Sequence, residues 1–122
     1  MKHKTISLSG ALLDAAVAMA AGQRFQLVGD LCQVWDNPCG YPGACWTWVR
    51  YAPSSDWAVG GPIIERESIL VGRRVDKKKA WAAGIDVVFG GKYPYDMLGP
   101  TPLVAAMRAY VASKLGEEVE LP

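Results

Sequence analysis

Apolar and polar positions along this chain follow two periods, and the helical one is clearest towards the two ends. Leu13, Ala16, Val17 and Ala20 recur at the spacing of one helix face. Ser9 precedes them as an N-cap, Leu8 and Leu13 fall where a hydrophobic staple would close, and Gly22 is a left-handed stop. A second helix is predicted over Leu103 to Leu115, with Thr101 as its cap, Pro102 in its first turn and Gly116 as its end. Leu103, Met107, Tyr110 and Lys114 make its stripe, with Ala106 and Val111 alongside.

Between these helices the period drops to two. Phe25 to Val28 and Cys32 to Trp35 read as short strands divided by Gly29-Asp30. From Ala44 to Tyr51, Trp46, Trp48 and Arg50 share one face while Cys45, Thr47, Val49 and Tyr51 share the other. Bulk on both faces predicts a central strand. Ser68 to Arg73, Ala80 to Ala83 and Ile85 to Phe89 are further extended segments, with Asp76 to Lys79 as a hairpin turn. Gly90 to Pro100 reads as a loop, and Pro62 to Glu67 as a single helical turn with Pro first. The predicted class is α+β: one domain over residues 1–122, mainly antiparallel sheet bracketed by an N-terminal and a C-terminal helix, ending in an acidic tail at 117–122.

Composition narrows the function by exclusion. At 122 residues the chain is long enough to bury roughly two thirds of its unfolded surface. A formal net charge of +1 argues against duplex nucleic acid as a partner, and Lys77-Lys78-Lys79 reads as a solvated loop tip. The apolar run from Ala11 to Ala21 carries Asp14 and is too short to span a bilayer. Ser7, Ser9 and Gly10 break up the apolar core a signal peptide needs, so a cytoplasmic protein with no membrane partner is expected. Cys32, Cys39 and Cys45 make an odd set without a Cys-x-x-Cys pair, and His3 is the single histidine. Free buried thiols are expected, not a disulfide framework or a metal site; a transient Cys39–Cys45 bridge across the intervening turn is the other reading.

No catalytic signature is present. His3, placed in an N-terminus expected to be mobile, is no partner for a nucleophile. Asp56 with Glu65 or Glu67 is the one carboxylate set that suits acid–base work or Mg²⁺, and surface capping explains these residues as well. Gly60-Gly61 and Gly90-Gly91 are bare pairs without a phosphate-loop or dinucleotide fingerprint. The sequence predicts neither a cofactor nor a catalytic residue.

Binding chemistry is denser. The segment from Tyr51 to Glu67 puts an aromatic, a Ser-Ser-Asp turn, Trp57, a Gly60-Gly61-Pro62 elbow and three charges into 17 residues. Four of the chain's five tryptophans lie between Trp35 and Trp57, with Arg50 and Arg66 flanking the loop. Indole faces stack nucleobases and guanidiniums pair phosphates. Trp46 and Trp48 suit a small core equally well. At the elbow, amides of Gly60 and Gly61 would face an anion if a helix began there. Arg108, in mid-helix, reads as a surface ion pair.

Three stretches carry a resemblance. They are Tyr51-x-Pro-Ser-x-Asp-Trp-Ala-x-Gly-Gly-Pro-Ile-Ile-Glu-Arg-Glu67, Thr101-Pro-Leu-Val-Ala-Ala-Met-Arg-Ala-Tyr-Val-Ala-Ser-Lys-Leu-Gly-Glu-Glu-Val119 and, more weakly, Lys4-Thr-x-x-Leu8-x-Gly-Ala-Leu-x-Asp14. Together they resemble a family of small, uncharacterised phage and prophage proteins that includes NinX. The resemblance supplies no reaction and no site residues. It implies a context, a protein made during infection or carried by a prophage, and by analogy an anti-defence role.

The combined expectation is a non-enzymatic phage accessory protein that sequesters a small anionic ligand, a nucleotide-derived immune signal of the host, as a homo-oligomer. Trp57 and Tyr51 would stack on the base, and Arg50 and Arg66 would pair phosphates. Gly60 and Gly61 would offer amides, while Ser54, Ser55 and Asp56 would fix the loop or bind ribose hydroxyls. Two other classes stand beside it: an inhibitor or adaptor that shows exposed aromatics to a host enzyme, and a metal-dependent nucleotide hydrolase using Asp56, Glu65 and Glu67.

Overall fold

A computed structural model describes residues 1–39, 45–73, 80–85 and 97–122. Along the chain come strand β1 (Lys2–Lys4), a 3-10 turn (Thr5–Ser7), helix α1 (Gly10–Ala20), and strands β2 (Phe25–Val28), β3 (Leu31–Asp36) and β4 (Thr47–Arg50). Helix α2 (Trp57–Arg66), strands β5 (Leu70–Arg73), β6 (Trp81–Gly84) and β7 (Met97–Gly99), helix α3 (Pro102–Leu115) and strand β8 (Glu118–Glu120) follow. All strand pairs are antiparallel, and among the described residues they form three separate sheets: β1–β8, β2–β3–β4 and β5–β6–β7. The class is α+β as expected, with two departures: the sheet is divided, and a third helix stands between the two that were predicted.

Helix α3 is the axis of the fold. It packs on β5–β6–β7, on α1 and on α2, so Ala105, Ala106, Met107, Ala109, Tyr110, Val111 and Ala112 are buried on every side of it. Its alanines, with Ala15 and Ala16 of α1, remove the side-chain bulk that would hold two helices apart. Thr101 Oγ1 accepts from the Val104 amide at 3.1 Å, and Gly116 ends the helix at φ 89°. Ser9 occupies the expected N-cap position of α1, but its side chain caps nothing; Leu8 and Leu13 are both buried, as the staple required.

The hairpin β2–β3 turns at Gly29, whose φ of 59° needs glycine. β4 is an edge strand, not a central one, because β3 takes the middle of its sheet. Its bulk on both faces comes instead from an exposed aromatic surface outside and the core inside. The two ends of the chain are likewise not loose. His3 sits in β1 opposite Val119 in β8, Thr5 Oγ1 donates to the Gly116 carbonyl at 2.7 Å, and Val119 and Leu121 are buried. Alternating Val119 and Leu121 with Glu118 and Glu120 is a strand pattern that a reading by charge alone takes for a tail.

Cys39 is bonded to Cys45, so the bridge, not a pair of free thiols, ties the described ends of the β3–β4 connection. Cys32 is a buried free thiol, pushed up to about 11 by burial and then by the Asp14 charge. The expected loop at Gly90 to Pro100 contributes β7 at its end, since Met97 to Gly99 pair with β6. The turn at Asp76 to Lys79, Lys77-Lys78-Lys79 included, and most of Ile85 to Phe89 and Gly90 to Pro100 lie outside the described residues. No helix among the described residues is long and apolar enough to cross a membrane.

Candidate functional site

Asp56 begins the central region of the site by capping α2, its carboxylate oxygen accepting from the Ala58 amide at 3.0 Å. The helix therefore starts at Trp57, five residues before Pro62, and the expected elbow is not a turn at all. Gly60 and Gly61 lie inside the helix, where the Gly60 amide donates to the Asp56 carbonyl at 2.8 Å and is unavailable to a ligand. Pro62 is tolerated because it and Ala58, whose carbonyl it leaves without a helical donor, both face solvent.

What the early helix start does is set the Trp57 indole at the mouth of a cleft of about 450 Å³, 57% exposed. Arg50, Tyr51, Ser54 and Ser55 line the same cleft, as do Leu31 and Asp30 at the β2–β3 turn. The remaining walls are the first residues of two other helices: Gly10 and Ala11 of α1, and Pro102, Leu103 and Val104 of α3 behind their cap Thr101. Three helix N-termini thus converge on one hollow. First-turn amides lack an intrahelical acceptor, and each helix presents roughly half a positive charge at this end. For α1 no side chain closes the cap, and Gly10 enters the helix at φ 56°, a conformation that favours glycine.

A smaller hollow of about 340 Å³ adjoins it, lined by Arg50, Ala52, Ser55 and Asp56. Arg50 and Ser55 are shared, so the guanidinium stands on the rim between an aromatic compartment and a polar one. Of the nine residues expected at the site, Arg50, Tyr51, Ser54, Ser55 and Trp57 line the main cleft and Asp56 the adjoining hollow. Gly60 is buried against Pro53 and Leu103, and Gly61 lies under the Trp57 indole. Arg66 closes the far end of α2, exposed and outside the cleft, where its charge acts on Tyr51.

Asp56 and Glu67 cap opposite ends of α2, eleven positions and about 16 Å apart along the helix. Glu67 pairs with Lys114 at 3.4 Å. The carboxylates considered for metal-assisted hydrolysis therefore do not converge, and among the described residues no cluster of three or more metal-ligating side chains forms.

The residue that sequence reading missed is Asp14. It leaves the apolar face of α1 at the cleft floor, 6% exposed, and accepts from the Ser54 amide at 2.9 Å. That bond holds the Ser-Ser-Asp turn against α1. Burial pushes the carboxyl above its ordinary 3.8, opposed by the Ser54 hydrogen bonds and then by the Arg50 charge. A single aspartate in an Ala- and Leu-rich helix face was the available signal. Tyr51, on the same floor, is pushed up to about 12 by burial and then by Tyr110, so its hydroxyl stays protonated as a donor.

A pH test follows from Asp14. Its native state holds the proton more tightly than the unfolded chain, so its contribution to stability is whole below pH 3.8 and is lost as pH rises through the raised native value. Asp14→Asn keeps an acceptor for Ser54 and removes the buried charge. Urea unfolding should find the variant more stable than wild type at pH 7 and the gap closed near pH 3. A gap of equal size at both pH values would show that the charge is not what matters.

No curated protein matches the chain. A family model does, over residues 4–114, a span that takes in every wall of the cleft from Gly10 to Val104. The three motifs that suggested the family from sequence thus supply α1, α2 and α3, the helices whose first turns meet at the cleft, and the chain belongs to the family described as Bacteriophage P22, NinX.

Proposed function

We propose that this phage protein is a non-enzymatic binder that holds a small nucleotide-derived anion in the cleft beneath Trp57. One observation carries the reading: an exposed indole, an arginine and three helix N-termini face the same hollow of about 450 Å³. Its size is within the range of small-molecule sites, which run from about 300 to 1,000 Å³. In this reading the base stacks on Trp57, phosphate oxygens meet Arg50, the first amides of α1 and the Leu103 amide of α3, and Ser54, Ser55 or Asp30 take ribose hydroxyls. Tyr51 lies deeper and is a floor rather than a second stacking face. The protein acts in the host cytoplasm as an anti-defence sponge, and a second copy closes the open side of the cleft.

Calorimetry against a panel of cyclic dinucleotides and ADP-ribose-type nucleotides tests it. Base stacking contributes about 1–3 kcal/mol, so Trp57→Ala should weaken the best ligand by about 5- to 150-fold while leaving the fold intact. Arg50→Gln should weaken it too, with a smaller salt dependence. If a well-folded sample gives no heat with any member of the panel, the reading fails. Turnover of a bound nucleotide would instead make the protein a hydrolase.

A further inference from the structure

The sheet β2–β3–β4 has one face on the core and one on solvent. Phe25, Leu27, Cys32 and Val34 face inward. The alternate positions face out, and they include three tryptophans. Trp35 is directly opposite Trp48 in the β3–β4 register, and their rings meet edge to face at 5.3 Å. Trp46 stacks on Trp35, with centroids 6.4 Å apart and planes within 15°. The Arg24 guanidinium lies over both Trp35 and Trp48, at 5.7 and 5.6 Å from the ring centroids. A cluster of this kind normally fills a core. Here Trp35 is 38% exposed and Trp46 51% exposed.

Val28 and Leu31 add exposed apolar surface at the turn end of this face, and its remaining outward positions, Gln26, Gln33 and Arg50, are polar or positive. Gln26 Nε2 donates to Gln33 Oε1 at 2.7 Å, which fixes both amides. Arg50 lies across from Gln33. No aspartate or glutamate occupies the outward positions of these strands among the described residues. A protein partner could cover the indoles, but a face with guanidiniums, fixed amides and no carboxylate is complementary to a polyanion with flat bases.

We propose that the outer face of β2–β3–β4 binds single-stranded nucleic acid, with bases stacking on Trp35 and Trp46 and phosphates pairing with Arg24 and Arg50. Aromatic faces with adjoining cations are the elements by which proteins hold single strands without reading their sequence. Paired bases keep their faces inside the duplex, so the same surface offers double-stranded DNA only its two cations.

Fluorescence anisotropy with a labelled oligothymidylate of about fifteen nucleotides is the test, with intrinsic tryptophan emission read in the same titration. Binding should quench the emission and exceed that of the matching duplex by at least about tenfold. Two phosphate contacts at about 0.7 each should give a slope of roughly −1.4 for log K against log salt, and Arg24→Gln should take about 0.7 from it. Trp46→Ala should weaken the single strand by about 5- to 150-fold. Both side chains are exposed, and a thermal melt confirms that each variant is folded; Leu70→Ala, an exposed apolar change on another sheet, should bind as wild type. The proposal is overturned if the folded protein leaves the oligothymidylate unbound, or if single strand and duplex bind equally. It is also overturned if the wild-type protein self-associates through this face, with Trp46→Ala restoring the monomer and oligonucleotide having no effect.

Discussion

Gly60→Ala should cost at least about 2 kcal/mol, while the same substitution one residue later, Gly61→Ala, should stabilise by about 0.5–1 kcal/mol. Intrinsic propensity is the same for both, since alanine is the better helix former by about 1 kcal/mol. Surroundings decide the sign. A Cβ at Gly60 would run into the Pro53 carbonyl oxygen and meet Leu103 Cδ2 at 2.6 Å. The first of these is backbone, so relief requires α2 to move away from the Ser-Ser-Asp turn and from α3. A Cβ at Gly61 meets only Trp57 Cε3, at 4.0 Å, which is ordinary contact. Thermal unfolding of the two variants reads the difference directly, and Gly60→Ala should fall below wild type by roughly 10 °C. Equal midpoints would mean that α2 is not seated on Pro53 and Leu103. Because displacement of α2 also displaces Trp57, Gly60→Ala should weaken any ligand of the cleft as well.

Arg108→Met should cost about 3 kcal/mol, although the substitution keeps length and apolar stem. Sequence reading placed Arg108 on the surface as an ion pair. It is instead partly buried, with Nε donating to the Leu8 carbonyl at 2.8 Å and Nη1 to the Leu98 carbonyl at 2.7 Å. One planar fork thus ties α3 to the segment before α1 and to β7, where a chain of local hydrogen bonds does not reach. Burial lowers the Arg108 pKa below that of an ordinary guanidinium. Hydrogen bonds from a charged donor contribute about 1.5–3 kcal/mol each, and methionine leaves two carbonyls with no donor. Arg108→Lys restores a charge but not the fork, so it should recover less than half of the loss. Urea unfolding gives the free energies, and faster amide exchange in β7 would locate the damage. A loss below about 0.5 kcal/mol would return Arg108 to the surface role read from sequence.

The parts of the fold that sequence made legible share one property: their energetics are local. The ends of α3 follow from Thr101, Pro102 and Gly116, each acting within a few residues of its own position. The hairpin at Gly29 and the stop at Gly22 follow from left-handed backbone that glycine favours. The sequence predicts a shorter α2 because Pro62 suits a first turn and Gly60-Gly61 a bend. Asp56 capping Ala58 outweighs both, and a proline whose unpaired partner carbonyl faces solvent costs less than one in a buried helix interior.

For the site, the residue types were readable and the partition among them was not. The Tyr51 to Glu67 segment does supply the indole and three hydroxyl side chains of the cleft, yet Arg66 is carried to the other end of its helix and the glycine amides into the helix ladder. Asp14, Gly10 and Val104 join the cleft from segments separated by up to 94 positions (10 to 104), and no local rule connects them.

By itself, the sequence determined the class, the family and the boundaries of the outer helices, because caps, glycine stops, side-chain period and motif identity act over a handful of residues. Only the tertiary structure decided that β4 lies at an edge with the exposed indoles of Trp35 and Trp46 beside it, that the charged end of the chain is a paired strand, and that three helix N-termini meet. Each of those outcomes depends on which surfaces bury one another, and burial is a property of pairs of segments, so it is absent from any single one.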